Sequence, residues 1–232
     1  MTDGYRMKIK VTFTEEVLGT ASANKEIHRD FIASKGPNAK TVEEEIAAIG
    51  EDEVFEKGKT VLYKDKDGRP FVFDYMWRGF FKDACGSLRE VPGSECSKIT
   101  NYKKKIDGLV FPHPRKIYYE LAGDVGELER PLRGQTAKGE RVSLATSETV
   151  PDGSSMTFDI QLLVPKMRGA IIEMLDYGVL RGLGQWRNSG KGRFTYEILE
   201  ESGKVVEDDD DNEKPAKGRG KKKAAEETAV AV

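Results

Sequence analysis

Residues 156–199 constrain the fold more than any other stretch of the chain. Met156, Phe158, Ile160 and Leu162 alternate with polar neighbours, the period-two pattern of a strand with one buried face. Pro165 then opens a helix at its first turn, where its missing N–H costs nothing. Met167, Ala170, Ile171, Met174 and Leu175 follow at the spacing of one helical face, and the pattern stops near Gly178. After a glycine-rich run, residues 192–199 (GRFTYEIL) return to a strand. A strand, an amphipathic helix and a second strand in so short a span predict a helix laid on a sheet.

The early half has a related order. Residues 7–14 (MKIKVTFT) alternate Ile9, Val11 and Phe13 with Lys8, Lys10 and Thr12, which predicts a half-buried strand. Residues 24–35 and 41–50 read as short helices, the second with Thr41 and Glu44 placed as a capping box. Residues 60–73 (TVLYKDKDGRPFVF) hold two β-rich runs around Asp67–Gly68, a hairpin signal. Residues 75–88 read as a helix with Met76, Phe80, Ala84 and Leu88 on one face, and 91–108 as a Gly-, Ser- and Lys-rich loop. Strands are expected at 110–120 and 141–148, with a turn-rich stretch between them at 121–139. The fold class is α+β: an antiparallel sheet with helices on one face, in one domain over residues 1–203.

Composition narrows the function less than the pattern narrows the fold. The 232 residues carry a net charge of −2. Residues 204–232 hold seven basic and eight acidic side chains in blocks, with few bulky apolars, and are expected to be disordered. The rest is equally near neutral, so an anion-binding surface has to come from local clustering. Cys85 and Cys96 are too few for a disulfide scaffold and form no C-x-x-C pair. No apolar run approaches the ~20 residues of a membrane span, and residues 1–8 hold no apolar signal core. A cytoplasmic protein with no metal, cofactor or membrane partner is expected.

The run that carries chemistry is residues 182–192 (GLGQWRNSGKG). Gly182, Gly184, Gly190 and Gly192 lack a Cβ and let a backbone come close to a phosphate, and exposed N–H groups there would form an anion-binding concavity. Arg187, Lys191 and Arg193 add charge-assisted donors, and Trp186 offers a face for a base. The spacing fits neither a Walker A loop nor a dinucleotide fingerprint, since Gly192 follows Lys191 and the run lies between a helix and a strand. An ordinary glycine-rich turn with solvated charges and an edge-packed tryptophan fits the same letters.

Residues 182–192 resemble the C-terminal glycine-rich loop of the RAMP superfamily of CRISPR proteins: a Gly-hydrophobic-Gly triplet filled by Leu183, five residues including a basic one, then a second glycine pair. Lys191 replaces the usual hydrophobic residue of that pair. Residues 147–158 (SETVPDGSSMTF) resemble the segment that enters the second ferredoxin-like strand of backbone-type RAMP subunits. Residues 60–88 resemble the family's strand, turn and helix, with Arg78–Gly79 where Lys-Gly is usual and Phe73–Met76 replacing the Pro-Gly-Ser-Ser turn. The resemblance covers most of residues 7–200 and points to a divergent branch.

The resemblance implies a modified ferredoxin-like (RRM-type) sheet that binds single-stranded RNA, in a backbone-type subunit of an effector complex or a viral or stand-alone relative. It implies antiviral defence, partners that include further copies of the chain or other effector subunits, a helical insert at about 21–58 and a thumb-like insertion at about 91–120. Lys103, Lys104 and Lys105, beside Tyr102 and Ile106, lie in that stretch, and Arg78 and Lys82 on the early helix are expected to face the same groove. Some RAMP branches cleave RNA, with a His base near the first strand and helix or an Asp in the loop after the first strand. His28 and Asp30 are the weak candidates for those places; beside them stand the plainer readings of an exposed helical histidine and an intrahelical ion-pair partner. His113, between Pro112 and Pro114, reads as structural. Two alternatives stand beside RNA binding: a RAMP-type endonuclease using His28, and an assembly module without nucleic acid.

Overall fold

The computed structural model describes residues 4–23, 59–136 and 139–203. His28, Asp30, the helices expected at 24–35 and 41–50, and the charged segment 204–232 lie outside the described residues. The alternation at 7–14 becomes β1 (Tyr5–Phe13). Met7, Ile9, Val11 and Phe13 are buried, while Arg6, Lys8, Lys10 and Thr12 point to the other face, as the pleat of a strand requires. Short strands follow as β2 (Val17–Leu18), β3 (Ala21–Ser22), β4 (Thr60–Val61) and β5 (Tyr63–Lys64), then β6 (Pro70–Phe73). The Asp-Gly turn does join β5 to β6, with Gly68 at φ 77°. Thr60–Val61 departs from the expected hairpin and pairs instead with β3 and with a later strand.

The helix α1 (Asp74–Leu88) buries Trp77, Phe80, Phe81, Ala84 and Cys85. Its inward face is thus centred one residue later than the Met76–Leu88 stripe, because the two largest rings, Trp77 and Phe81, take the core. Residues 91–108 are more ordered than a loop. They hold a 3-10 turn (Cys96–Lys98) and α2 (Tyr102–Leu109), which lies against α1 with Ile106 buried. The backbone N–H groups of Glu95 and Cys96 both donate to the Glu173 carboxylate, at 2.7 and 3.1 Å, which fixes this turn. Next come β7 (Val110–His113) and β8 (Lys116–Tyr118). The stretch expected to be turn-rich forms β9 (Gly126–Thr136), which pairs along its whole length with β10 (Gly139–Val150). The chain ends its described part with β11 (Ser155–Leu162), α3 (Arg168–Asp176), the single turn α4 (Gly178–Arg181) and β12 (Phe194–Ser202).

Four strands form the central sheet in the order β12-β1-β11-β7, every neighbour antiparallel. Counted in chain order those strands are fourth, first, third and second, with α1 and α3 as the two crossovers. That is the βαββαβ ferredoxin-like arrangement. Both helices pack on one face, since Trp77, Phe81, Ile171 and Met174 share a cluster with the inward residues of β1 and β11. Residues 91–120 are therefore not one projecting insertion: 110–113 supply a core strand, and 102–109 lie on α1. The long excursion between the second and third core strands is the β9–β10 hairpin. Its base joins β2 and β4 in a second sheet, and β5, β6 and β8 make a third.

Cys85 and Cys96 are free thiols with no exposed surface, and Cys96 Sγ lies 3.8 Å from the Ala170 carbonyl oxygen. Reaction with a thiol reagent should therefore be limited by unfolding in native buffer and reach two equivalents in denaturant. One rapidly reacting native thiol would contradict this packing.

Candidate nucleic-acid interface

The excursions from the central sheet leave from one end of it. Phe13, the last residue of β1, pairs with Phe194, the first of β12, and Thr12 pairs with Ser155, the first of β11. His113, the last residue of β7, pairs with Asp159. The loop 182–192, the β9–β10 hairpin and the small β5-β6-β8 sheet therefore gather at this end.

The open face of the sheet carries Arg6, Lys8 and Lys10 opposite Asp159, Glu197 and Glu200. Arg6 pairs with Asp159 at 2.9 Å and Lys8 with Glu200 at 3.6 Å. The face where an RRM stacks bases is thus neutralised by the sheet's own ladder.

The glycines of the loop serve backbone packing. Leu183 N–H donates to the Gly192 carbonyl at 2.8 Å, and Gly192 N–H donates to the Glu16 carbonyl at 2.8 Å. The loop crosses itself there, so a Cβ on Gly192 would stand 1.9 Å from Leu183 O. Ser189 and Gly190 N–H are spent on Trp186 and Arg187 carbonyls in a 3-10 turn. The expected nest of exposed N–H groups is in these places replaced by internal bonds. What the loop presents is side chains. Trp186, at φ 54°, is 39% exposed, while Leu183 is buried.

The loop's cations are held in pairs. Arg187 Nη1 lies 2.8 Å from Asp83 Oδ2 on α1, an oxygen that Arg181 Nε also reaches at 3.2 Å. Lys191 Nζ lies 2.6 Å from Glu16 Oε1 and 3.9 Å from Glu15. Arg193 Nε donates to the Leu180 carbonyl at 3.2 Å. Across the loop, the guanidinium of Arg130 on β9 stands 4.4 Å from the centre of the Trp186 ring. Burial pulls Arg130 below the usual arginine pKa. Five cations thus meet three carboxylates around one exposed indole.

The other predicted residues lie elsewhere. Arg78 pairs with Asp74 at 3.1 Å, and Lys82 with Asp107 of α2 at 2.8 Å. They lie on the α1 side that meets α2 and Arg115; the loop is met through Asp83. Lys103, Lys104 and Lys105 sit on α2, with Lys105 Nζ donating to Thr100 Oγ1 at 3.3 Å. The predicted residues therefore fall into two groups, 182–193 and the α1–α2 face. A further cluster went unread in the sequence: Arg69 over the Tyr118 ring at 4.8 Å, Arg115 over Phe73 and Tyr75 at 5.0 and 5.3 Å, and Lys116 over Phe71 at 5.0 Å. Arg181, Asp83, Glu16 and Arg130 also went unread. Arg181 adjoins the loop and could have been included; the others are brought to it only by the fold.

No protein-family model and no curated protein matches the chain. Among solved structures, the cryo-EM structure of a type III-B Cmr-beta complex bound to cognate target RNA contains a chain similar to this one at a TM-score of 0.48 and 11% identity. The match covers 86% of this chain and 60% of that one, so this chain spans less than two thirds of its neighbour's length. Among the described residues, no helix is long and apolar enough to cross a membrane.

Proposed function

We propose that the chain is a RAMP-like protein that binds single-stranded RNA at the loop 182–192, without catalysing its cleavage. The observation that carries this reading is Trp186: a large ring left 39% exposed on a backbone fixed by glycine crossings, with a surplus of cations around it. Exposed indole among arginines is the chemistry that stacks unpaired bases and neutralises phosphates, and it is indifferent to sequence. In this reading, phosphates take over Arg187 and Lys191 from Asp83 and Glu16, exchanging one charge-assisted bond for another. The near-neutral body keeps a single copy weak, so copies lining up along one strand are the natural mode of use.

The test is binding of a fluorescent 30-nucleotide single-stranded RNA at two salt concentrations. The triple change Arg187→Ala, Lys191→Ala, Arg193→Ala should lower affinity on the order of 100-fold at low salt and reduce the log–log salt slope by about 2, the value for three phosphate contacts to a single strand. If the folded wild type binds neither RNA nor single-stranded DNA, the reading fails. The assembly alternative then leads, favoured by Val179 and Leu180 beside the loop at 48% and 66% exposure.

A further inference from the structure

Among the described residues, Arg130 is the one charged side chain left unsatisfied at two buried atoms. Its Nε and Nη1 are buried and have no hydrogen-bond partner, whereas Arg181, Arg187, Lys191 and Arg193 each have an oxygen within reach. Among the described residues no carboxylate pairs with it; its contact at this site is the indole of Trp186. Dehydrated guanidinium donors without a partner are rare in native proteins and call for an explanation. The ring offsets part of the cost through its quadrupole but accepts no N–H bond in the plane of the guanidinium. Anionic oxygens meet both needs, and each planar edge of the guanidinium, Nε–Nη2 and Nη1–Nη2, matches a phosphate.

We propose that the Arg130–Trp186 contact is the entry point for one nucleotide: an unpaired base takes the indole face that the guanidinium now covers, and the displaced guanidinium donates its freed N–H groups to phosphate oxygens. This rests on the RNA reading above and deepens it, because it makes the β9–β10 hairpin a second wall of the site. The exchange keeps one stack on Trp186 and adds two charge-assisted hydrogen bonds. It also selects single strands, since a base inside a duplex has no free face to offer.

The chain has two tryptophans, and Trp77 is wholly buried, so a ligand-induced change in emission reports Trp186. The experiment titrates wild type, Arg130→Gln and Arg130→Lys with the 30-nucleotide RNA and, separately, with inorganic phosphate, following emission and thermal melting. Arg130→Gln should bind RNA about tenfold more weakly with the salt slope lowered by about 0.7, one phosphate contact to a single strand. Its melting temperature should be unchanged or higher, because a buried unpaired charge is gone, and Arg130→Lys should recover part of the affinity. Unchanged affinity and slope in Arg130→Gln, alongside binding lost in the loop triple variant, would overturn this inference and leave the RNA reading standing. A lower melting temperature with unchanged binding would make Arg130 a structural residue and overturn it too. If wild type ignores RNA but phosphate shifts its emission in an Arg130-dependent way, the anion site stands and the RNA reading falls. If neither ligand has an effect, both fall.

Discussion

Gly192→Ala should destabilise the protein by about 2–5 kcal/mol, lowering the melting temperature by roughly 5–15 °C for a domain of this size. Two costs combine. The residue sits at φ 72°, a region that disfavours any side chain. A Cβ there would also lie 1.9 Å from Leu183 O and 2.9 Å from its carbonyl carbon, backbone atoms with nowhere to go. Gly68 separates the two: its φ is 77° and a Cβ would meet nothing within 4 Å. Gly68→Ala should therefore cost about 1 kcal/mol, the strain alone. Paired thermal melts measure the difference. Equal losses at the two positions would mean that the loop does not cross itself at Gly192.

The second large effect is in the core. Trp77 has no exposed surface and touches the rings of Phe80, Phe81, Phe158 and Phe194, the nearest centroid being Phe158 at 4.6 Å. Trp77→Ala should cost about 3–5 kcal/mol through lost contacts and the cavity left behind. Trp77→Phe should cost far less than its lost volume suggests, within about 1–2 kcal/mol, because Trp77 Nε1 is buried without a partner and its removal relieves that desolvation. Chemical denaturation of the two variants decides the matter. A Phe variant as unstable as the Ala variant would place a hydrogen bond on the indole nitrogen.

The core was legible because its letters obey one period at a time. Odd residues of 5–13 and even residues of 156–162 alternate cleanly, and those two strands lie side by side in the sheet. Asp67–Gly68 announced its hairpin for a local reason, the need for positive φ. The 126–136 strand was not legible. Its letters, GELERPLRGQT, show no apolar alternation, since this strand answers to its ladder with 139–149 instead of to the core. Likewise 102–109, with three consecutive lysines, looked like a loop because Ile106 is the only residue of that helix that is buried.

The loop of the candidate site was legible in the sequence, and the way its glycines are used was not. The glycine spacing at 182–192 marked a loop that the fold does form, yet the glycines let the chain cross itself, which spacing alone does not distinguish from room for a phosphate. Nothing near Arg187 or Lys191 in sequence names their partners. Asp83 lies 104 positions from Arg187, and Glu16 arrives only because the turn after the first strand packs on the loop. Arg130 is equally remote and sits in the strand that the pattern failed to show.

The strand order has a consequence for how the protein is made. Ile9 pairs with Phe158 on one side and Ile198 on the other, so the second strand in the sheet is the first to be synthesised and the last to be flanked. At about 10 residues per second, its hydrogen-bonding edges wait roughly 15 seconds for a first partner strand and a few seconds more for the second. Such long-range pairing makes for slow folding. On the ribosome the nascent chain therefore displays unpaired, aggregation-prone strand edges until β11 emerges, and the sheet closes in two steps, at β11 and then at β12.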